Sequence, residues 1–475
     1  MSYGLFGPPD DVVGPSRELG ADLVRVYLYW GQVEPEPGRF DWTVVDALLA
    51  QLTGDEEVWV TVCSSSRWAT RQPTDFLPPS PAKDAERYRR FAYTLVSHCA
   101  GRVAYWQCDN EPSNVGLLWA GTAEEYVAQL KVFRAAVRDA DPRSSVVLGG
   151  CGYDVLSSGL DGPARRFFEE VVDSGRDAFD LFALNLYDDP EAIPKHVHLA
   201  REMMRANGFE RPIVVGEYNG PTLFELPQLD EVMQRTMTAA FADVEPGGFD
   251  TAELATRATA ETPERRAMQA LYAAMPDLPP ALQMFMVGCP AELAERRDRI
   301  NGRELVTRNL LALSTGICRT VCWQLAPEVP NYEDPFTMME LMHGKLPLLR
   351  FEGGRLAFTP SAEAFRRLAS QLEGAVGVEP IERGLPTDVL GFAVDRADRG
   401  RLTVLWKRGD LFAGEEEPSI AVRWPWEAAE AFAVDAFGAP QSVELESGHL
   451  HLAVGVTPIF LSARPPDMDV TVRPG

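Results

Sequence analysis

A chain of 475 residues, 45% hydrophobic and 24% charged, has the composition of a globular protein and exceeds the usual span of one core, so a large domain with a smaller one attached is expected. Its 70 acidic against 45 basic residues leave a net charge of −25, which repels phosphate backbones and anionic membranes and argues against nucleic-acid and membrane-surface roles.

The N-terminal MSYGLFGPPDD has no basic n-region and no long apolar h-region, and no later stretch approaches a membrane span. That pattern points to a cytoplasmic protein, or to a secreted one whose signal has been removed. Seven cysteines, an odd number set mostly in apolar text, suit reduced buried thiols better than a disulfide framework. Cys318 and Cys322 are spaced like a metal pair, but no matching Cys/His pair exists, so no metal and no cofactor is expected.

In chain order, short β-branched and apolar runs alternate with amphipathic segments. Strands are expected at 3–6, 23–30, 58–63, 103–108, 145–150, 181–187, 212–218 and 320–326. Helical text lies between them, as at 42–52, 84–101 and 122–142; the last opens with Thr122 and Glu125 at capping-box spacing and stops at Pro142. Eight strands alternating with helices imply an α/β fold of the closed (β/α)₈ type, the TIM barrel, with an open doubly wound sheet as the alternative.

Residues 223–301 are far longer than a loop requires and contain helical segments, so they read as an insertion after the seventh strand, a helical cap over the barrel mouth. After a last helix at 359–375 the pattern changes to short alternating segments separated by turn residues. An antiparallel β-sandwich is expected from 376 to 475, leaving 1–375 as the barrel.

Residues at the C-terminal ends of barrel strands face the active-site mouth. The fourth strand ends in Asn110 and Glu111, and the seventh in Glu217. Two carboxylates on non-adjacent strands at one end of a barrel have the geometry for breaking a glycosidic bond, in which one protonates the leaving oxygen and the other attacks the anomeric carbon.

The W-x-x-x-N-E-P text of Trp106 to Pro112, the Gly-Glu at the end of the seventh strand and YWGQVEPEPGRFDW (29–42) together resemble clan A glycoside hydrolases, most closely families 39 and 5. The resemblance covers roughly residues 1–375 and, more loosely, the C-terminal domain. It implies Glu111 as general acid/base, Glu217 as nucleophile, and Asn110 as the partner of the sugar 2-hydroxyl. It further implies that Arg25 keeps the nucleophile ionised, that Tyr187 lies beside it, and that Trp323 floors the sugar subsite. The chain departs from the pattern at Asn185, where many relatives carry histidine, and at the third-strand end, CSSSRW, which lacks a histidine that some families place there.

Asn185 and Tyr187 alternate to one strand face, so both are expected at the mouth. Trp30, Trp68 and Trp119 follow strand ends and are candidates for further subsites, whereas Glu34 and Glu36 read as structural, with Asp41 placed to cap the next helix. The expected activity is retaining β-glycosidase action on a carbohydrate substrate. The rivals are transglycosylation with the same glutamates and a catalytically silent carbohydrate-binding barrel. The sugar, exo or endo action and the oligomeric state do not follow from these residues.

Overall fold

The computed structural model describes residues 1–4, 6–7, 10–157, 161–240, 250–251, 260–327, 336–352 and 355–465. Strands β1 (Ser2–Tyr3), β2 (Leu23–Tyr29), β3 (Glu57–Cys63), β4 (Tyr105–Cys108) and β5 (Ser145–Val147) pair in that order, all parallel. Strands β6 (Phe182–Leu186), β7 (Ile213–Tyr218) and β8 (Thr320–Cys322) form a second parallel run. Bridges Val147–Leu181 and Cys151–Leu184 join β5 to β6, and Ser2–Trp323 joins β8 back to β1. The sheet therefore closes on itself, and the open doubly wound alternative is set aside.

Alternation along the strands sorts side chains into two layers. On β2, Val24, Val26 and Leu28 join the apolar layer beneath the helices, while Leu23, Arg25, Tyr27 and Tyr29 take the opposite face. The barrel interior begins apolar, with Leu23, Trp59, Val147, Ala183, Val214 and Val321 packed together. One step toward the strand C-termini it turns polar, at Arg25, Thr61 and Gln107, all with no exposed surface.

Strand β7 breaks the alternation. Strict alternation from Val214 would turn Gly216 and Tyr218 inward and Glu217 out. Instead the β6–β7 register slips between Leu184 and Asn185, so that Asn185 pairs with Glu217 and Leu186 with Tyr218. This bulge re-aims Glu217 to the interior and sends Tyr218 to the helix side, where its hydroxyl accepts from Asn309 Nδ2 at 3.1 Å.

The outer helices form where their caps predict. Asp84 accepts from the backbone N–H groups of Glu86 and Arg87 ahead of Ala85–Cys99, and Thr122 with Glu125 closes a capping box on Ala123–Ala140.

The stretch after β7 contains helices Asp230–Ala240, Pro263–Ala273 and Pro280–Gln283. They bury a cluster of their own, including Leu229, Met233, Met268, Leu282 and Phe285, which takes in Met338 and Leu341 from beyond β8. The expected end at 301 falls inside one continuous helix, Ala291–Leu313, whose later half is an outer helix of the barrel. Parts of the expected insertion, 241–249 and 252–259, lie outside the described residues, as does Leu5 of the first expected strand. Arg67 Nη2 meets Asp250 at 2.9 Å, and Thr251 N donates to Asp75 at 2.8 Å, which ties the insertion to the loop after β3.

A hairpin, β9 (Leu349–Glu352) with β10 (Arg355–Phe358), precedes helix Pro360–Leu372. Beyond it lies a five-stranded antiparallel sheet: β11 (Ala375–Pro380), β12 (Val389–Arg396), β13 (Leu402–Lys407), β18 (Ile459–Ser462) and β15 (Phe432–Asp435), in that spatial order. It stacks on the three-stranded sheet β14 (Ile420–Pro425), β17 (His449–Val454) and β16 (Glu444–Glu446). Leu405, Ile459 and Leu461 face the smaller sheet, while Val404, Trp406 and Phe460 join the barrel's core, so the larger sheet is buried on both sides. Gly302 permits this docking, since a Cβ there would stand 2.6 Å from Phe437 and 3.0 Å from Ala364. The last expected sandwich residues, 466–475, lie outside the described ones.

Candidate active site

Arg25 organises the mouth of the barrel. It has no exposed surface, and its five N–H donors are all engaged: Nε with Thr61 Oγ1 at 3.0 Å, Nη1 with Gly216 O at 2.8 Å and Glu217 Oε1 at 2.9 Å, and Nη2 with Gln107 Oε1 at 3.2 Å and Asn110 Oδ1 at 3.0 Å. Burial works against its charge, but Tyr27 and Glu217 more than offset it, so its pKa moves up and the guanidinium stays cationic.

Glu217 is an acceptor at each of these contacts. Its Oε1 receives Arg25, Tyr27 Oη at 2.5 Å and Asn110 Nδ2 at 3.2 Å, and its Oε2 receives Tyr187 Oη at 2.7 Å. Both tyrosines are pushed well above the ordinary phenol value, by burial first, so they remain neutral donors. Four donors, one of them a guanidinium, thus converge on the Glu217 carboxyl group.

Glu111 has the opposite environment. Among the described residues only Asn185 Nδ2, at 2.6 Å, donates to its carboxyl group. Burial first, the negative charge of Glu217 second, and Asp154 more weakly push its pKa up to about 8. Two coupled carboxyl groups, one surrounded by donors and one holding its proton at neutral pH, can act as base or nucleophile and as acid in one event.

The backbone accommodates this at some strain. Asp109 and Glu111 both take left-handed φ angles, +53° and +43°, in a chain segment without glycine. The two reversals divide the side chains. Asp109, with no exposed surface, turns away to accept from Ser64 N and Oγ and from Gln129 Nε2, whereas Asn110 and Glu111 enter the mouth. Glycines make room around Asn185: a Cβ at Gly150 would lie 2.7 Å from its Nδ2, and one at Gly216 3.0 Å from its Oδ1.

The structure thus brings together Arg25, Asn110, Glu111, Asn185, Tyr187 and Glu217. Trp323 stands edge-on to Tyr187, ring centroids 6.4 Å apart. Trp30 is a correction to the subsite expectation. It has no exposed surface, stacks on Phe91 at 5.0 Å and donates its indole N–H to Glu34, which makes it part of the core beneath the helices. Trp68 packs edge-on against Trp30 and donates to the Glu34 carbonyl, and Trp119 is fully buried against Tyr126. Glu34 is the buried acceptor for Trp30 and Gly38 N, and Asp41 accepts from Thr43 N at the start of helix Thr43–Ala50.

Sequence reasoning missed three groups. Tyr27 was legible, two residues beyond Arg25 on the same strand face. Asp154, at the exit of β5, and His343, whose ring stands 5.3 Å from that of Trp323, lie on helices of four and six residues, Tyr153–Leu156 and Met338–His343, too short to carry a periodic signal. Burial lowers the His343 pKa to about 4, against the pull of Glu217, so it is a neutral imidazole. Among the described residues no group of three or more His, Cys, Asp or Glu side chains is disposed to hold a metal, and no helix is long and apolar enough to cross a membrane.

No family model matches the chain, and no curated protein matches it. Solved structures do. A family 39 glycoside hydrolase from Bacteroides cellulosilyticus WH2 superposes with a TM-score of 0.63 at 15% identity, over 98% of this chain and 80% of that one. A family 39 β-xylosidase from Caulobacter crescentus gives 0.54 at 12% identity, over 97% and 94%. A family 51 α-L-arabinofuranosidase from Bifidobacterium longum gives 0.56 at 10% identity, over 94% and 88%. At these identities the likeness is one of fold: the chain has the (β/α)₈ barrel with appended β-sandwich seen in these glycoside hydrolases.

Proposed function

We propose that the protein is a retaining β-glycosidase that hydrolyses the O-glycosidic bond of a glycoside or short oligosaccharide. The observation that carries this reading is the opposed pair. Glu217 accepts from Arg25, Tyr27, Asn110 and Tyr187, while Glu111, raised partly by the charge of Glu217, keeps its proton to about pH 8.

In the first step a Glu217 oxygen attacks the anomeric carbon as the glycosidic C–O bond breaks. The leaving oxygen takes the Glu111 proton. The glycosyl ester that forms neutralises Glu217, which removes one of the charges that raise Glu111. Glu111, now ionised, takes a proton from water as that water attacks the anomeric carbon, and Glu217 departs as the carboxylate. Asn110 is suited to hold the sugar 2-hydroxyl and Trp323 to pack on the apolar face of the ring.

Residues 1–375 would form the catalytic barrel and 376–475 the appended sandwich, with the helical insertion as a cap. The contacts of Asp250 and Thr251 with Arg67 and Asp75 support the cap. A panel of chromogenic aryl glycosides, assayed with wild type, Glu111→Ala and Glu217→Ala, tests the reading. Turnover of at least one glycoside by wild type, lost in Glu217→Ala and rescued by azide in Glu111→Ala for activated leaving groups, is the expected result. Near wild-type turnover in either variant overturns it.

A further inference from the structure

At the exit of β5 the chain passes through Cys151 and Gly152 into a single helical turn, Tyr153–Leu156, that carries Asp154. A Cβ on Gly152 would stand 2.9 Å from Asp154 Oδ1, 2.9 Å from Glu111 Cδ and 3.0 Å from Glu111 Oε1. Both carboxyl groups therefore pack against the bare Cα of Gly152, and a side chain there would displace one of them, so glycine is what lets Asp154 and Glu111 stand side by side. Around the barrel Asp154 lies on the strand exit next to Glu111, whereas Glu217 is two strands further on, held by β2, β4 and β6.

The charges around this pair are unbalanced. Glu111 is met by Glu217 from β7, Asp154 from β5 and Arg25 from β2, with Asn185 and Tyr187 from β6 as neutral neighbours, and the Cys151 thiol lies behind. Arg25 has no N–H donor left for an incoming anion. Arg165, on helix Pro163–Ser174 behind Cys151, is paired with Glu169 at 2.7 Å. An anionic group arriving beside Glu111 thus meets carboxylates and no uncommitted cation among these residues.

We propose that Asp154 is a specificity-determining residue on the leaving-group side of the site, where it selects neutral aglycones and rejects anionic ones. This rests on the glycosidase reading above, because the aglycone lies on the side of the acid that protonates it. The same carboxylate adds, after burial and Glu217, to what keeps the proton on Glu111, so one group bears on both substrate selection and acid strength. An aspartate is suited to both tasks: its short side chain packs on Gly152 beside Glu111 and offers acceptors to aglycone hydroxyls.

The test uses two aryl glycosides of the sugar that wild type accepts, one with a 4-carboxyphenyl and one with a 4-(methoxycarbonyl)phenyl leaving group, together with the phenyl glycoside. Wild type, Asp154→Asn and Asp154→Ser are compared after their melting temperatures are measured. The expected result is that wild type favours the ester over the acid in kcat/KM, and that both variants reduce this preference by about tenfold. The alkaline limb for the phenyl glycoside should move to lower pH in the variants, because one of the charges that raise Glu111 is gone. A purely structural role would lower all rates together and move neither the ratio nor the limb. Unchanged ratio and limb in both variants overturn the inference alone; no hydrolysis of any glycoside by wild type overturns the glycosidase reading and this inference with it.

Discussion

Arg25 Nη1 lies 2.9 Å from Glu217 Oε1, in an ion pair whose side chains are 0% and 7% exposed. A buried pair of this kind is expensive to break, because the surviving partner keeps its desolvation cost without its counter-charge. Arg25→Met should cost about 3–5 kcal/mol of stability, read by urea unfolding. Arg25→Lys restores the charge but not the five-donor fork, so it should recover part of the stability while kcat stays down by about 10²-fold on aryl glycosides.

The pKa of about 8 at Glu111 sets a pH profile. Glu111 must carry its proton to assist departure, so kcat/KM for a phenyl glycoside should fall tenfold per unit above about pH 8. A 2,4-dinitrophenyl glycoside needs no acid, and its rate should lack that limb. An identical alkaline limb for both substrates would assign the ionisation to another group.

The same shift carries a stability prediction. A folded pKa above the ordinary carboxylate value means that the native state holds a proton which the unfolded chain releases. Stability is therefore lost as pH rises from the unfolded value near 4.5 through about 8. Glu111→Gln removes the penalty. It should be neutral at pH 4 and stabilising at pH 8 by about 1–3 kcal/mol, well under the full shift because Glu111 is only half-buried. Thermal unfolding of wild type and variant across that range provides the check, and confirms that an inactive variant is folded.

Arg308, on helix Ala291–Leu313, connects the insertion to the site. It has no exposed surface, meets Glu225 at 2.6 Å and Glu304 at 2.9 Å, and donates from Nη1 to the carbonyls of Leu186 and Asp188 on either side of Tyr187. Arg308→Met leaves two buried carboxylates without their cation, at a cost of about 3–5 kcal/mol that grows with pH as they are forced to ionise. Urea unfolding at pH 5 and pH 8 should show the larger loss at pH 8, and kcat should drop as Tyr187 loses its anchor.

Much of this protein was decided locally. The eight strands and the caps of the helices arise from periodicities of two and 3.6 residues and from Asp84, Thr122 and Thr359, each acting within one turn of its position. The strand ends then named Asn110, Glu111 and Glu217, because a barrel gathers the residues at the C-terminal ends of its strands around one mouth.

What only the tertiary structure decided are relations between segments distant in sequence. Strict alternation would have turned Glu217 toward the helices, and the register slip against β6 is what faces it inward, a property of two strands together. Trp30 comes after a strand end as a subsite residue would, yet Phe91 and Tyr88, from a helix more than 50 residues on, enclose it in the core. Asp154 and His343 carried no pattern at all, because a side chain on a helix of one or two turns acquires its role from what stands opposite. The sequence by itself named the two carboxyl groups; their different environments, which give each its chemistry, arise from donors and charges gathered from β2, β4, β5 and β6, and proximity between those strands exists only once the barrel has closed.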